Sequence, residues 1–109
     1  KMSVIFNLSP HYDSGSHWVA LFINCNLKEI YYFDSYGDVA PTNIRKFARI
    51  VQNQSIKFGK KYKYFTSKKR HQYKNSECGM YCLYFIIQML KDVKFERFKK
   101  KYRIFKWRN

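Results

Sequence analysis

The stretch "KNSECGMYCLYFII", residues 74–87, passes from polar residues into an unbroken apolar run, with a cysteine and a glycine at the junction. From Cys78 to Leu90 the apolar residues leave no polar face, so a helix here would be the buried central element of the fold. Ser76 reads as its N-cap, which puts Glu77 and Cys78 in the first turn, beside unpaired backbone N–H groups and the positive end of the helix dipole. That position favours a thiolate: a free cysteine titrates near ~8.5, and a helix N-terminus with a neighbouring imidazolium brings it to roughly 3.5–7.5. An isolated cysteine ahead of an apolar run is more often plain core. Whether Cys78 packs or reacts therefore turns on what else the chain supplies.

Outward from this helix the pattern is α+β. "MSVIFNL" (2–8) reads as a short strand, closed by Ser9-Pro10 and the turn-rich "HYDSGS" (11–16). "HWVALFIN" (17–24) is apolar almost throughout, as a strand covered on both faces should be, and "EIYYFD" (29–34) follows after the short link "CNLK", so the two read as a hairpin. "SYGD" (35–38) is a loop. Pro41 then marks a first helical turn ahead of "TNIRKFARIVQNQ", where Ile44, Phe47, Ile50 and Val51 recur at helical spacing. "KYKYF" (61–65) alternates basic and aromatic residues and reads as an exposed or edge strand, followed by a polar loop from Thr66 to Glu77. Phe95, Phe98, Tyr102 and Phe105 mark the stripe of a basic amphipathic helix. With no internal repeat and no linker, residues 1–109 read as a single domain. The chain opens with Lys1 rather than Met, and elements ahead of it are allowed for.

Composition narrows the setting. At 46% hydrophobic and 20% aromatic residues the chain should fold rather than stay disordered. Its longest apolar run is far too short for a membrane span, and no leader resembles a signal peptide. Three cysteines without a framework of spacings fit reduced thiols, so the expectation is a soluble, monomeric, intracellular protein in a reducing compartment. Charge is the loudest signal, at 22 Lys+Arg against 7 Asp+Glu. Lys57, Lys60, Lys61, Lys63, Lys68, Lys69, Arg70 and Lys74 fall in one stretch without an acid, and a second basic block runs from 94 to 108. Such blocks attract polyanions, DNA among them, although a charge run often does no more than keep a face solvated.

A thiol nucleophile needs a base, and the base an orienting group. His17 starts one strand and Asp34 ends the next, and across an antiparallel hairpin those two positions are neighbours. A carboxylate accepting one ring N–H would fix the tautomer and leave the other nitrogen for the thiol. Gln72, six residues before Cys78, offers a side-chain amide to an oxyanion alongside the Cys78 N–H. Singly, each residue has a blander use: a strand start for His17, a turn for Asp34, a solvated loop for Gln72. Two rivals stay open. One is a non-enzymatic nucleic-acid module built on Lys60, Lys61, Lys63, Lys68, Lys69 and Arg70 with interleaved aromatics. The other is a metal site from Cys78, Cys82, His71 and Cys25, a poor signal because the ligands come from distant segments, and no metal is assigned.

The blocks "GSHWVALFI" (15–23), "IYYFDSYG" (30–37) and "HQYKNSECGMYCLYFI" (71–86) resemble, in that order, the signatures of the adenovirus-protease and ubiquitin-like-protein-protease clan of cysteine proteases, with the character of members from large DNA viruses. The resemblance covers about residues 2 to 91. It implies a papain-like α+β fold, a mixed sheet packed on the helix that carries the nucleophile. By position it implies Cys78 as nucleophile, His17 as base, Asp34 as orienting carboxylate and Gln72 as oxyanion donor. Trp18 would shape a narrow slot for substrate glycines, and Gly79 would leave space behind the nucleophile. The implied activity is hydrolysis after glycine, in Gly-Gly or Gly-X-Gly contexts, for which an aromatic-roofed tunnel that admits only bare backbone is the physical reason. The implied partner is a protein substrate, either a viral polyprotein during maturation or a lysine-linked ubiquitin-like modifier; acetyl transfer is a remoter use. The chemistry asks for no cofactor, although the adenovirus relative implies DNA or a peptide as activator. The clan's domains are usually larger, with an N-terminal helical part that has little sequence here before Val4.

Overall fold

The computed structural model describes residues 1–8, 17–67 and 78–101, with 78, 79 and 99–101 described in their backbone only. The elements run β1 (Met2–Asn7), β2 (Trp18–Asn24), β3 (Glu29–Phe33), α1 (Thr42–Ile56), β4 (Lys63–Thr66), α2 (Cys78–Leu90) and α3 (Phe95–Lys101). The four strands form one mixed sheet in the order β1-β2-β3-β4, antiparallel twice and then parallel. The α+β reading, the hairpin and the edge position of the "KYKYF" strand all hold.

The apolar continuity of β2 and β3 follows from period-two alternation between two covered faces. Ala20, Phe22, Tyr31 and Phe33 point to a layer made by α2 and α3, where they meet Tyr81, Cys82, Phe85, Met89, Phe95 and Phe98. Val19, Leu21, Ile23, Ile30 and Tyr32 point to the opposite layer, where they meet Ala40 and, on α1, Ile44 and Ala48. The register matches the layers, since Ala20 faces Phe33 and Phe22 faces Tyr31. Phe85 is the hub of the first layer, stacked on Phe33 at 5.0 Å and edge-on to Phe22 and Phe95.

A parallel neighbour requires a crossover, and α1 supplies it between β3 and β4. Pro41 caps α1 rather than opening it: its ψ of 157° is extended while its carbonyl accepts from Ile44 and Arg45 N–H. The buried stripe is Ile44, Ala48 and Ser55 with Val51 half-buried, whereas Phe47 sits at the flank and Ile50 is 57% exposed. At ~100° per residue these four stripe positions fall within about 60° of arc, and small Ala48 lets the helix approach the sheet. The helix ends at Ile56, and the turn that follows it reaches Gly59, whose φ of 111° suits glycine. Ser55 Oγ then accepts from Tyr62 N–H and Gln52 Nε2 donates to the Tyr62 carbonyl, which ties the end of α1 to the approach of β4.

The expectation that α2 leaves no face to solvent holds for its sheet-facing side alone. Tyr81, Cys82, Phe85 and Met89 are buried, while Met80, Leu83, Ile87 and Leu90 are about half exposed. Uniform hydrophobicity gives the length of the helix, not how many of its faces the described residues cover. The helix closes in a Schellman motif, with Val93 N–H bonded to the Gln88 carbonyl, Asp92 N–H to that of Met89, and Asp92 left-handed at φ 63°. The turn redirects the chain so that Phe95 and Phe98 of α3 reach the same core. Tyr102 and Phe105, the rest of the expected stripe, lie outside the described residues.

Candidate active site

His17 immediately precedes β2, and its carbonyl accepts from Leu8 N–H at 2.7 Å, which moors it to the end of β1. Asp34 immediately follows β3. Antiparallel pairing brings these ends together, and His17 Nε2–H donates to Asp34 Oδ1 at 2.9 Å. Asp34 is 2% exposed and His17 half-buried, so the bond is screened from bulk water on the acid's side. With Nε2 committed, the tautomer is set and Nδ1 keeps its lone pair. Nδ1 is buried and finds no hydrogen-bond partner among the described residues. An imidazole held by a carboxylate on one nitrogen and open on the other is the arrangement of a general base.

Asp34 is a turn residue as well. Its Oδ1 also accepts from Tyr36 N–H at 2.8 Å, and its carbonyl accepts from Gly37 N–H at 2.8 Å, with Gly37 left-handed at φ 79°. The two uses weighed as alternatives for this aspartate coexist, because one carboxylate oxygen takes both donors. The ring of Tyr36 stacks on the imidazole, centroids 4.7 Å apart and planes 22° apart. Nothing in the loop pattern of "SYGD" encodes this contact beyond an aromatic two residues after the candidate acid. Beside the acid, burial pushes the Tyr32 phenol well above its ordinary range, with the Asp34 charge adding to the shift.

The direction of α2 follows from its far end. A cleft of about 300 Å³ is lined by Met89, Asp92 and Val93 together with Asn24, Glu29 and Tyr31, so the C-terminal end of α2 lies at the β2–β3 turn. Cys78 is eleven residues earlier, about 16 Å along the helix at 1.5 Å per residue. The six steps of β2 from Asn24 back to Trp18 cover about 20 Å in the same sense. The backbone of Cys78 and Gly79 thus opens α2 at the His17–Asp34 end of the sheet. Trp18 begins β2 beside His17 and packs half-buried on the α2 layer. The cleft belongs to the opposite end and is no part of this site.

Gln72, Lys68, Lys69 and Arg70 lie outside the described residues, as do Ser76 and the other ligand candidate His71. Lys60, Lys61 and Lys63 are exposed and precede or begin β4, where Lys63 pairs with Glu29, so they sit at the end away from His17. Cys25 is exposed in the β2–β3 turn and Cys82 is buried in the α2 layer, two separate thiol environments.

A mixed sheet carrying a histidine–carboxylate pair at one end, with a helix opening on a cysteine at that same end, defines the class of papain-like thiol hydrolases. Comparison with known proteins carries this to a family: the model of the Ulp1 protease family, C-terminal catalytic domain, matches residues 3–108, and the chain belongs to that family of cysteine proteases. A protein of Acanthamoeba polyphaga mimivirus whose name assigns it to the thiol proteases is 38% identical over 100 residues, covering 87% of this chain and 32% of its own length. The SUMO-1 cysteine protease of African swine fever virus is 32% identical over 97 residues, covering 86% of this chain and 36% of that protein. A crystal structure of the African swine fever virus protease superposes with a TM-score of 0.78 at 29% identity, over 94% of this chain and 39% of that one. The SUMO protease Ulp1 shares the fold with a TM-score of 0.60 at 15% identity, over 84% of this chain and 43% of that one. The chain spans about a third of the length of the relatives it matches.

Proposed function

We propose that this chain is the catalytic domain of a cysteine endopeptidase that cleaves after glycine, at Gly-Gly or Gly-X-Gly sites, in the maturation of a viral polyprotein. The observation that carries the reading is the His17–Asp34 pair with Nδ1 open, at the end of the sheet where α2 begins.

In this reading His17 Nδ1 takes the proton of the Cys78 thiol, and the thiolate attacks the carbonyl carbon of the glycine that precedes the scissile bond. The C=O pair becomes an oxyanion, received by the Cys78 N–H and the Gln72 side-chain amide. Collapse breaks the C–N bond, and the departing amine takes the proton from Nδ1, leaving a thioester. Nδ1 then draws a proton from water, whose oxygen attacks the thioester; the acid product leaves and the proton returns to sulfur. Asp34 never gives or takes the proton; its charge holds the imidazolium formed at each half-reaction. Trp18 would narrow the substrate slot, and Gly79 would keep the space behind the sulfur clear.

The test is a set of fluorogenic peptides ending in Gly-Gly or Gly-X-Gly before the reporter, with glycine replaced by alanine as comparison and Cys78→Ala as control. Turnover that requires both glycine and Cys78 is expected; equal cleavage of the alanine peptides would remove the glycine reading. A second reading, removal of a ubiquitin-like modifier from lysine, is favoured by the SUMO protease names among the relatives. A lysine-linked modifier conjugate cleaved faster than a linear peptide of the same sequence would select it. DNA acts, in this proposal, as a tether on the basic surface that includes Lys60, Lys61 and Lys63; that surface lies away from the dyad, so DNA should lower KM in a salt-dependent way and leave kcat alone.

A further inference from the structure

We propose that Tyr36 is a positioning residue for the His17 imidazole, a role that rests on the reading of His17 as the general base. One hydrogen bond does not orient an imidazole. Held only by Nε2–H to Asp34 Oδ1, the ring would be free to rock about that bond and carry Nδ1 out of line with an incoming thiol proton.

Tyr36 removes that freedom. Its ring covers one face of the imidazole at 4.7 Å and 22°, inside the range of favourable offset stacks. The contact is itself fixed to the acid, because the Tyr36 N–H donates to the same Oδ1 that receives His17. Gly37 N–H closes the turn onto the Asp34 carbonyl, and the left-handed φ of Gly37 lets four residues, 34 to 37, hold carboxylate and aromatic face as one unit. The stack leaves the Nδ1 edge open. It also lies against a cation whenever the imidazole is protonated, and the negative face of an aromatic ring favours that state. Tyr36 thus serves both half-reactions through His17.

The experiment compares wild type, Tyr36→Leu, Tyr36→Phe and His17→Ala. It measures steady-state hydrolysis of a Gly-Gly fluorogenic peptide and the iodoacetamide alkylation rate of Cys78 at neutral pH. Tyr36→Leu should lower kcat by about 2- to 13-fold, the range that an aromatic stack commands, with KM unchanged and alkylation slowed by a similar factor. Tyr36→Phe keeps the ring and should return to within about twofold of wild type. The proposal is overturned if Tyr36→Leu matches wild type, if KM rises while kcat holds, which would make Tyr36 a substrate wall, or if Phe is as poor as Leu. If His17→Ala equals wild type in both assays, the reading of the base has failed and the positioning role falls with it. A loss confined to His17→Ala rejects Tyr36 alone. Should Tyr36→Leu not fold, proton NMR of wild type and Tyr36→Phe decides: the His17 ring protons must be shifted upfield by the stacked ring, and ordinary shifts would refute it.

Discussion

The sharpest perturbation is Asp34, where asparagine and alanine should separate. A single carboxylate oxygen, Oδ1, accepts from both His17 Nε2–H and Tyr36 N–H. Asparagine can present its carbonyl oxygen to the same two donors and place its amide where Oδ2 stood, so the turn and the tautomer survive and only the charge is lost. A charge-assisted bond contributes about 1.5–3 kcal/mol against about 0.5–1.5 for a neutral one, so the deficit at the imidazolium is about 1–1.5 kcal/mol, close to tenfold in rate. Alanine removes the bond outright and frees the ring. The whole ~1.5–3 kcal/mol goes, roughly 10- to 150-fold, before any cost of misorientation. The assay is kcat/KM on a Gly-Gly peptide, with Cys78 alkylation as a readout independent of substrate and a thermal melt to verify folding. Asp34→Asn should retain about a tenth of the activity and exceed Asp34→Ala by at least several-fold. Equal loss in the two would mean that the asparagine amide turns to face Nε2, so the shared-oxygen geometry does not govern the tautomer.

Other outcomes follow from the core and the thiols. Phe85→Ala should cost about 3–5 kcal/mol by denaturant unfolding, because the ring is fully buried and packs on Phe22, Phe33 and Phe95; a loss under about 1 kcal/mol would deny it the hub position. Tyr32→Phe should leave stability unchanged or raise it, since the Tyr32 hydroxyl is buried without a hydrogen-bond partner among the described residues; a clear drop in Tm would reveal a bond to that oxygen. Burial raises the Tyr31 and Tyr32 phenols above their ordinary value, burial and the Glu29 bond acting on Tyr31. A raised folded-state value means stability fully present below about pH 10 and lost as pH climbs beyond it. The denaturant midpoint should therefore hold up to about pH 10 and fall as pH climbs above it, less steeply in Tyr32→Phe. Cys25, exposed in the β2–β3 turn, should alkylate in the native protein, and Cys82 only on unfolding; rapid native labelling of Cys82 would contradict its burial.

Much of this was legible because β2 and β3 signal themselves twice, by unbroken apolar runs and by chemistry-bearing residues at matching ends. The His17–Asp34 bond follows from hairpin pairing alone. The α1 face was less legible: Phe47 and Ile50 are larger than Ala48, but the sheet-facing side needed a small residue, so side-chain size misdirected the choice of stripe. The exposure of Met80, Leu83, Ile87 and Leu90 was hidden because hydrophobicity records what a helix can bury, not what the chain supplies to cover it. The Tyr36 stack depends on the left-handed turn at Gly37, a three-dimensional return of the backbone that no spacing rule encodes. The dual use of Asp34 escaped for a related reason, since turn and acid were weighed as rivals.

The two interior strands have consequences for how the protein opens. β2 and β3 are flanked by strands on both sides and roofed by helices on both faces, so their amides should be the last to exchange with solvent. Among the described residues α2 is held through its sheet-facing side, with Met80, Leu83, Ile87 and Leu90 about half exposed, which places it in a cooperative unit of lower local stability. In rising denaturant the helix would release from the sheet first, and with it the proposed nucleophile. Base and acid would remain paired in the protected hairpin, so reactivity would vanish while most of the slow-exchanging core persists.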